Sequence, residues 1–452
     1  MSLFSRGSTI ILLAGDLAIF TGALLLTLLV RYRSIPSSEV IDQHLSPFVI
    51  LFFIWLLVYV IVGLYDKKMT LARKNVPGMV FRAQFINTLI AVLFFFIFPF
   101  GIEPKTNLII YLLISSVLIS VWRLYVFPSI VSGKTLRVLT IGGGPEATAI
   151  AKTFASNPFY RNVQSSALDS RGIEHIDTLR TSLLRTADQS GIDLIVADMR
   201  DPHIEQLSKD FYTLVFTNQH VQFFNLPTVY EQLHHRIPPS LIGETWFLEN
   251  VTTGSPHYAY DVLKRAVDLV GAIILFVPFA VLFPFIALAI KLGDGGPLFY
   301  VTERVGLHNA IIKIIKFRTM TGRDSGDAAL KSNLEVTRVG KALRTSRLDE
   351  LPQLVNVLRG DLSFIGPRPE MPSLAAVYAE EIPYYNLRHL IKPGLSGWAQ
   401  INDLDAPRAG VDVPRTIEKL SFDLYYLKHR SFLLDMEIGL KTIDTVLQRT
   451  GT

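Results

Sequence analysis

The sequence contains no cysteine. That excludes a disulfide framework, a thiolate metal site and a cysteine nucleophile, and it is compatible with a reducing compartment. Charge is scarce as well. Only 18% of the 452 residues are Asp, Glu, Lys or Arg, while half are hydrophobic and 29 are phenylalanine. So apolar a composition excludes an ordinary soluble protein and points to membrane segments. The length suits two or three domains. The net charge of +5 is modest but unevenly placed.

Four apolar runs, at 9–30, 47–64, 81–100 and 108–127, each approach the ~20 residues a helix needs to cross a bilayer. No small-residue cleavage site follows the first, which reads as a retained helix rather than a removable signal. Lys67, Lys68, Arg73 and Lys74 make the second loop the basic one. The first sets Arg31 and Arg33 against Glu39 and Asp42, and the third has only Lys105 with Glu103. The second loop is therefore expected in the cytoplasm, and both ends of the block with it. Asp16 lies within the first run, where an ionisable group is costly and is either packed against a neighbouring helix or functional. Arg82 and Arg123 fall near helix ends, a poor foundation for a transporter.

From Leu136 the pattern changes to alternating strands and helices. Strand-like runs at Leu136–Ile141, 164–169, 192–198 and 221–226 are separated by a helix through about Ala155 and helical stretches near 177–189 and 204–216. That alternation predicts a parallel, doubly wound sheet. Gly142-Gly143-Gly144 ends the first strand in a partial match to a dinucleotide fingerprint, with Ala147 at its last position and Asp169 available for a ribose. Pro145 and Glu146 crowd that turn with a ring and a negative charge, so a structural or regulatory Rossmann-like module is the better expectation. Tyr260 and Lys264 have the spacing of a dehydrogenase pair but lie beyond the sheet.

Lys264-Arg265-Ala266-Val267-Asp268 opens a fifth apolar run that reaches Ile290. As a helix it is long enough to span. Both flanks are basic, however: Lys264 and Arg265 precede it, and Lys291, Arg304, Lys313, Lys316 and Arg318 follow. Positive residues on both sides favour the same cytoplasmic face. Pro278 and Pro284 each remove an amide donor in its middle. A kinked helix that enters the membrane and returns accommodates both facts.

Beyond Lys291 the chain is rich in cations interleaved with apolar residues. It shows no recognisable nucleic-acid module, so no nucleic-acid partner is expected. Anionic headgroups or a phosphorylated substrate suit the pattern. Two adjacent carboxylates, Asp349 and Glu350, follow Arg344 and Arg347 and precede a helical pattern. Alone they would pass for solvated surface charges.

The motifs around them are specific and occur in one order. They are Lys264-Arg265-x-x-Asp268, Glu303-Arg304-Val305-Gly306, Lys316-Phe317-Arg318-Thr319-Met320, Leu348-Asp349-Glu350-Leu351-Pro352-Gln353, Gly366-Pro367-Arg368-Pro369 and Lys392-Pro393-Gly394-Leu395-Ser396-Gly397-Trp398-Ala399-Gln400. From about Tyr260 onward the chain resembles the bacterial sugar transferases, the monotopic phosphoglycosyl transferases. With its N-terminal block it resembles their larger, bipartite members, which start exopolysaccharide or O-antigen repeat units.

The resemblance implies transfer of a hexose 1-phosphate from a UDP-sugar to polyprenyl phosphate, with release of UMP. It implies Asp349 as the nucleophile and Glu350 as its helper, both of them ligands to Mg²⁺. Lys316, Arg318, Arg344 and Arg368 become candidates for binding the substrate's phosphates. Lys264, Arg265 and Asp268 are placed where the re-entrant helix meets the headgroups. One departure is Val277 before Pro278, where the family often has serine.

The expected architecture is a four-transmembrane-helix block over 1–133, an α/β Rossmann-like domain over 134–239, a linker over 240–256 and an α-rich monotopic catalytic domain over 257–452. The re-entrant helix occupies about 266–291, and the catalytic domain faces the cytoplasm at a bacterial inner membrane. Homo-oligomerisation stays open. The competing reading is a nucleotide-sensing membrane scaffold with a degenerate transferase region.

Overall fold

The computed structural model describes residues 6–62, 64–65, 76–98, 105–127, 130, 136–156, 160–168, 180–181, 183, 191–217, 221–243, 246, 250, 258–321, 335–402 and 410–447. The chain divides into two compact units, Met1–His234 and His235–Thr452.

In the first unit the apolar runs form α1 (Arg6–Tyr32), α2 (Ser38–Ile61), α3 (Val76–Ile97) and α4 (Lys105–Val121), whose last turns widen into a π-helical segment, Trp122–Val126. All four are long and apolar enough to cross a membrane. Ser37 caps α2, its hydroxyl accepting from the Val40 amide. Phe20, Phe48, Phe52, Trp55 and Tyr59 pack ring against ring at the centre, and the Trp55 indole donates to the Asn87 carbonyl at 3.0 Å. Asp16 is fully buried and forms an ion pair with Arg123. Tyr65 donates to the same Asp16 oxygen at 2.6 Å, and Arg123 also donates to the Leu64 carbonyl at 2.6 Å. The isolated charge of α1 is thus matched by one delivered from the π-helical segment, as a buried ionic group requires.

The same unit contains a four-stranded parallel sheet in the order β2-β1-β3-β4, with β1 at Leu136–Ile141, β2 at Tyr160–Leu168, β3 at Leu194–Ala197 and β4 at Gln222–Asn225. β2 begins four residues earlier than the apolar pattern suggests. Asp169 and nearly all of the helix expected at 177–189 lie outside the described residues. Helices α5 (Pro145–Ser156), α6 (Ser208–Thr217) and α7 (Leu226–His234) accompany the sheet. At the glycine turn Gly142 has φ +152°, and a Cβ there would stand 3.1 Å from Leu226 and 3.3 Å from Asp198. Arg200 grips both oxygens of Asp198, at 2.8 and 2.7 Å.

The second unit is built on α8, a 37-residue helix, Tyr258–Asp294, that contains both Pro278 and Pro284. It too is long and apolar enough to cross a membrane. One side of it, through Ala272, Phe279, Ile286 and Ile290, shares a core with Ile314, Phe317, Leu343, Leu354 and Val357. Elsewhere Ile273, Ile274, Val277, Val281 and Phe285 are exposed, an apolar surface that water would not tolerate over such a length. A hairpin of β5 (Phe299–Val305) and β6 (Ile311–Phe317) follows. A short ladder of β7 (Met320–Thr321) and β8 (Glu335–Val336) then leads into α9 (Arg338–Thr345), a 3-10 turn (Leu348–Gln353) and α10 (Leu354–Arg359).

Strands β9 (Ser363–Ile365) and β10 (Gly394–Ser396) pair in parallel and bracket α11 (Pro372–Glu381) and a second 3-10 turn, Tyr385–Leu390. Helices α12 (Trp398–Asn402), α13 (Val413–His429) and α14 (Phe432–Leu447) complete the unit. Ile237 and Ile242 belong to its core, beside Trp398, Leu424 and Tyr426. The Ile237 amide donates to the Ser421 carbonyl at 2.8 Å, and Arg236 pairs with Glu418 at 2.7 Å.

Candidate active site

Asp349 and Glu350 lie on the 3-10 turn between α9 and α10. The turn is entered through Arg347 in the left-handed region (φ 56°), which redirects the chain after α9. Asp349 is buried, and no described residue donates a hydrogen bond to its carboxylate. Glu350, by comparison, is engaged through one of its oxygens. Its Oε1 accepts from Lys316 Nζ at 2.9 Å and from Arg368 at 3.4 Å. Lys316 comes from β6 and Arg368 from the Gly366-Pro367-Arg368-Pro369 loop, so one glutamate oxygen joins three separate segments.

The two carboxylates are pushed apart in acidity. Burial raises the Asp349 carboxyl and the charge of Glu350 raises it further, more than Lys316, Arg344 and Arg347 lower it. Burial also opposes ionisation of Glu350, but Arg368, Lys316 and the lysine hydrogen bond outweigh it and hold that carboxyl at about 2. The result is one fixed anion and, beside it, one more basic carboxylate with free lone pairs.

Asn356, fully buried on α10, keeps β6 and the turn in register. Its amide donates to the Lys313 carbonyl at 2.7 Å and accepts from the Ile315 N–H at 3.2 Å, filling the place of a neighbouring strand. It also donates to Asp361 at 3.1 Å. Nothing in the local sequence distinguishes this asparagine from a surface one.

The other expected residues are distributed as follows. Arg344, on the last turn of α9, is exposed, and its charge acts on Asp349. Arg318 donates to the Met320 carbonyl at 3.0 Å and packs over Gly296. Lys264 bonds Asp435 at 2.6 Å, and Tyr260, one helical turn earlier, reaches the same carboxylate at 2.8 Å. Arg265 donates to the carbonyls of Val357 and Leu358 at the end of α10, at 2.6 and 2.8 Å. Asp268 accepts from the Ser363 hydroxyl at 3.1 Å and the Phe364 amide at 3.0 Å. These three residues bolt α8 to α14, α10 and β9, and they do not hydrogen-bond Asp349 or Glu350.

A buried group not singled out by the sequence supports the Arg368 loop: Arg388 with Asp423 at 2.8 Å, and Glu370 with Lys419. Those partners are dispersed over the loop, a 3-10 turn and α13, so no local spacing marks them. As a metal-binding set the site offers two adjacent carboxylates. Among the described residues no group of three or more His, Cys, Asp or Glu converges.

A profile of the bacterial sugar transferases matches residues 259–449. The chain is 34% identical over 288 residues to a UDP-N-acetylgalactosamine-undecaprenyl-phosphate N-acetylgalactosaminephosphotransferase of Aeromonas hydrophila, covering 63% of this chain and 66% of that protein, just under two thirds. It is 40% identical over 195 residues to a UDP-glucose:undecaprenyl-phosphate glucose-1-phosphate transferase of Caulobacter vibrioides, covering 42% of this chain and 72% of the relative. An uncharacterized sugar transferase of Bacillus subtilis is 39% identical over 191 residues, covering 42% of this chain and 90% of the relative.

Proposed function

Because the chain belongs to the bacterial sugar transferase family, we propose that it transfers a hexose 1-phosphate from a UDP-sugar to polyprenyl phosphate, releasing UMP. The observation that carries the assignment of roles is the contrast at the paired carboxylates: Glu350 is locked by Lys316 and Arg368, while Asp349 is buried, more basic and without a donor.

A carboxylate with unshared lone pairs is a competent nucleophile. In the first step an Asp349 oxygen attacks the phosphorus that bears the sugar. The bond from that phosphorus to the bridging oxygen breaks, and UMP departs with the electron pair. In the second step a phosphate oxygen of the polyprenyl phosphate attacks the aspartyl phosphate. The bond to Asp349 breaks and the polyprenyl diphosphate sugar forms. One site thereby handles a water-soluble donor and a lipid acceptor in turn.

Lys316, Arg344 and Arg368 offset the charge of the transferring phosphates, and Glu350 holds two of those cations in position. Arg368, set between two prolines, has little freedom to lose on binding. The adjacent oxygen donors of Asp349 and Glu350 fit Mg²⁺, which commonly takes one or two carboxylates together with substrate phosphates. When bound, the ion would add a further positive charge at the reacting phosphate.

The exposed apolar length of α8 and its basic flanks support a helix that enters and leaves by the cytoplasmic leaflet, next to its lipid substrate. Such an enzyme would open repeat-unit assembly for exopolysaccharide or O-antigen at the inner membrane. The parallel sheet of the first unit, with β1 and β3 adjacent at its centre, supports a Rossmann-like reading of that domain. The assignment is tested by supplying purified protein with a panel of UDP-sugars, Mg²⁺ and polyprenyl phosphate and reading UMP. Release with at least one donor, lost in Asp349→Ala, is expected; equal turnover in that variant would overturn it.

A further inference from the structure

The loop carrying Arg368 poses a backbone problem. Pro367 and Pro369 have no N–H, so between Gly366 and Glu370 the only amide donor belongs to Arg368 itself. Such a loop is held mainly through its carbonyls. The Pro367 carbonyl accepts from the Gly394 amide at 3.0 Å, and the Glu370 carbonyl accepts from the Val305 amide at 2.9 Å. Between them the Arg368 carbonyl accepts from a side chain, the NH2 group of Arg388, at 3.0 Å.

Arg388 is itself fixed from several directions. Its Nε and NH2 meet one oxygen of Asp423 at 3.0 and 2.8 Å, and NH1 donates to the Tyr385 hydroxyl at 2.9 Å. Glu370 stands 3.9 Å from NH1 and is paired with Lys419. Arg388 and Asp423 are each all but inaccessible, at 2% and 1% side-chain exposure. Two cations and two carboxylates thus alternate in one cluster, with the charge of Arg304 acting on Glu370 as well, and an interior charge is tolerated where it is paired in this way. One edge of that cluster is spent on the carbonyl of the residue whose guanidinium meets Glu350.

We propose that Arg388 is a positioning residue for the transferase reaction, holding the Arg368 carbonyl so that the Arg368 guanidinium stays beside Glu350 and the transferring phosphate. The functional half of this statement rests on the proposed reaction, and the structural half does not. Lysine at 388 keeps the positive charge, but a single ammonium cannot reproduce a fork that reaches Asp423, Tyr385 and a carbonyl together.

The test uses the full chain in detergent or nanodiscs, with four forms: wild type, Arg388→Lys, Arg368→Ala and the double variant. Hydrogen exchange of the Arg368 and Glu370 amides is followed alongside UMP release. Arg388→Lys should accelerate exchange at these amides and leave α10 protected. It should lower kcat/KM about 10- to 100-fold, the loss typical of a group misplaced by about an ångström. In the Arg368→Ala background the same change should cost less than about 3-fold, because the residue being positioned is gone.

Unchanged exchange at 368 and 370, or a loss that multiplies fully onto Arg368→Ala, would overturn the proposal. If Arg388→Lys does not fold, Tyr385→Phe, which loosens Arg388 by one bond without removing a charge, takes its place in the cycle under the same criteria. No UMP release by wild type from any donor would defeat the functional reading instead, and the exchange data would still decide whether Arg388 holds the loop.

Discussion

Two neighbouring carboxylates of the same charge do different work because their surroundings differ. One oxygen of Glu350 accepts from Lys316 and Arg368, whereas Asp349 accepts from no described residue. Asp349→Asn should therefore lower UMP release by at least about 10³-fold, and Glu350→Gln by about 10²-fold through loss of the cation anchor. Asp349 must be ionised to attack, and its carboxyl is raised by burial and by Glu350. The acid limb of kcat/KM should accordingly inflect above the ordinary aspartate value of 3.8. In Glu350→Gln that inflection should move down, since one source of the rise is removed; an upward shift in the pH profile would contradict the assignment. Stability has its own pH dependence. Burial, with the charge of Arg388, lowers the His389 ring from 6.5 to about 3. The unfolded chain takes up that proton first, so urea midpoints should fall as pH drops from 6.5 toward 3 through this residue. His389→Gln should flatten that slope.

At the scale of elements, the fixed joint is between α8 and the catalytic turn. Arg265 ties α8 to the carbonyl end of α10, and Asp268 ties it to β9. Because Asp268 is buried, Asp268→Ala leaves the Ser363 hydroxyl and Phe364 amide without their acceptor, a loss of about 1–3 kcal/mol. Its thermal midpoint should drop more than that of Asp268→Asn, which keeps one acceptor oxygen. The motif around Lys264, Arg265 and Asp268 was plain in the sequence, yet its contacts were not, because Asp435 and the α10 carbonyls are distant in the chain. The paired carboxylates and the Pro-Arg-Pro loop were equally legible. The Arg388, Asp423, Glu370 and Lys419 cluster was not: in sequence each resembles a solvated charge, and only the packing of α13 against the loop buries them together. The role of Asn356 is not legible for a related reason, as its amide substitutes for a strand that the sequence does not contain.

At the scale of the molecule, the apolar runs predicted the membrane helices well, since continuous hydrophobicity needs no tertiary information to be read. Asp16 found its counterpart in Arg123 only through a π-helical segment that no periodicity announces. The absence of cysteine allows a clean test of topology. Single cysteines at Tyr258 and at Pro297, both exposed and flanking the body of α8, should react with an impermeant maleimide from the same side of a sealed vesicle if the helix re-enters. Reaction from opposite sides would show that it spans.

In the proposed reaction Asp349 becomes covalently bonded to the sugar phosphate. The direct measurement is peptide mass spectrometry after incubation with Mg²⁺ and the UDP-sugar that supports turnover, with polyprenyl phosphate withheld. A gain of one hexose phosphate on Asp349 is expected, discharged when the lipid acceptor is added. An adduct on another residue, or rapid acceptor-dependent turnover with Asp349 never modified, would contradict it.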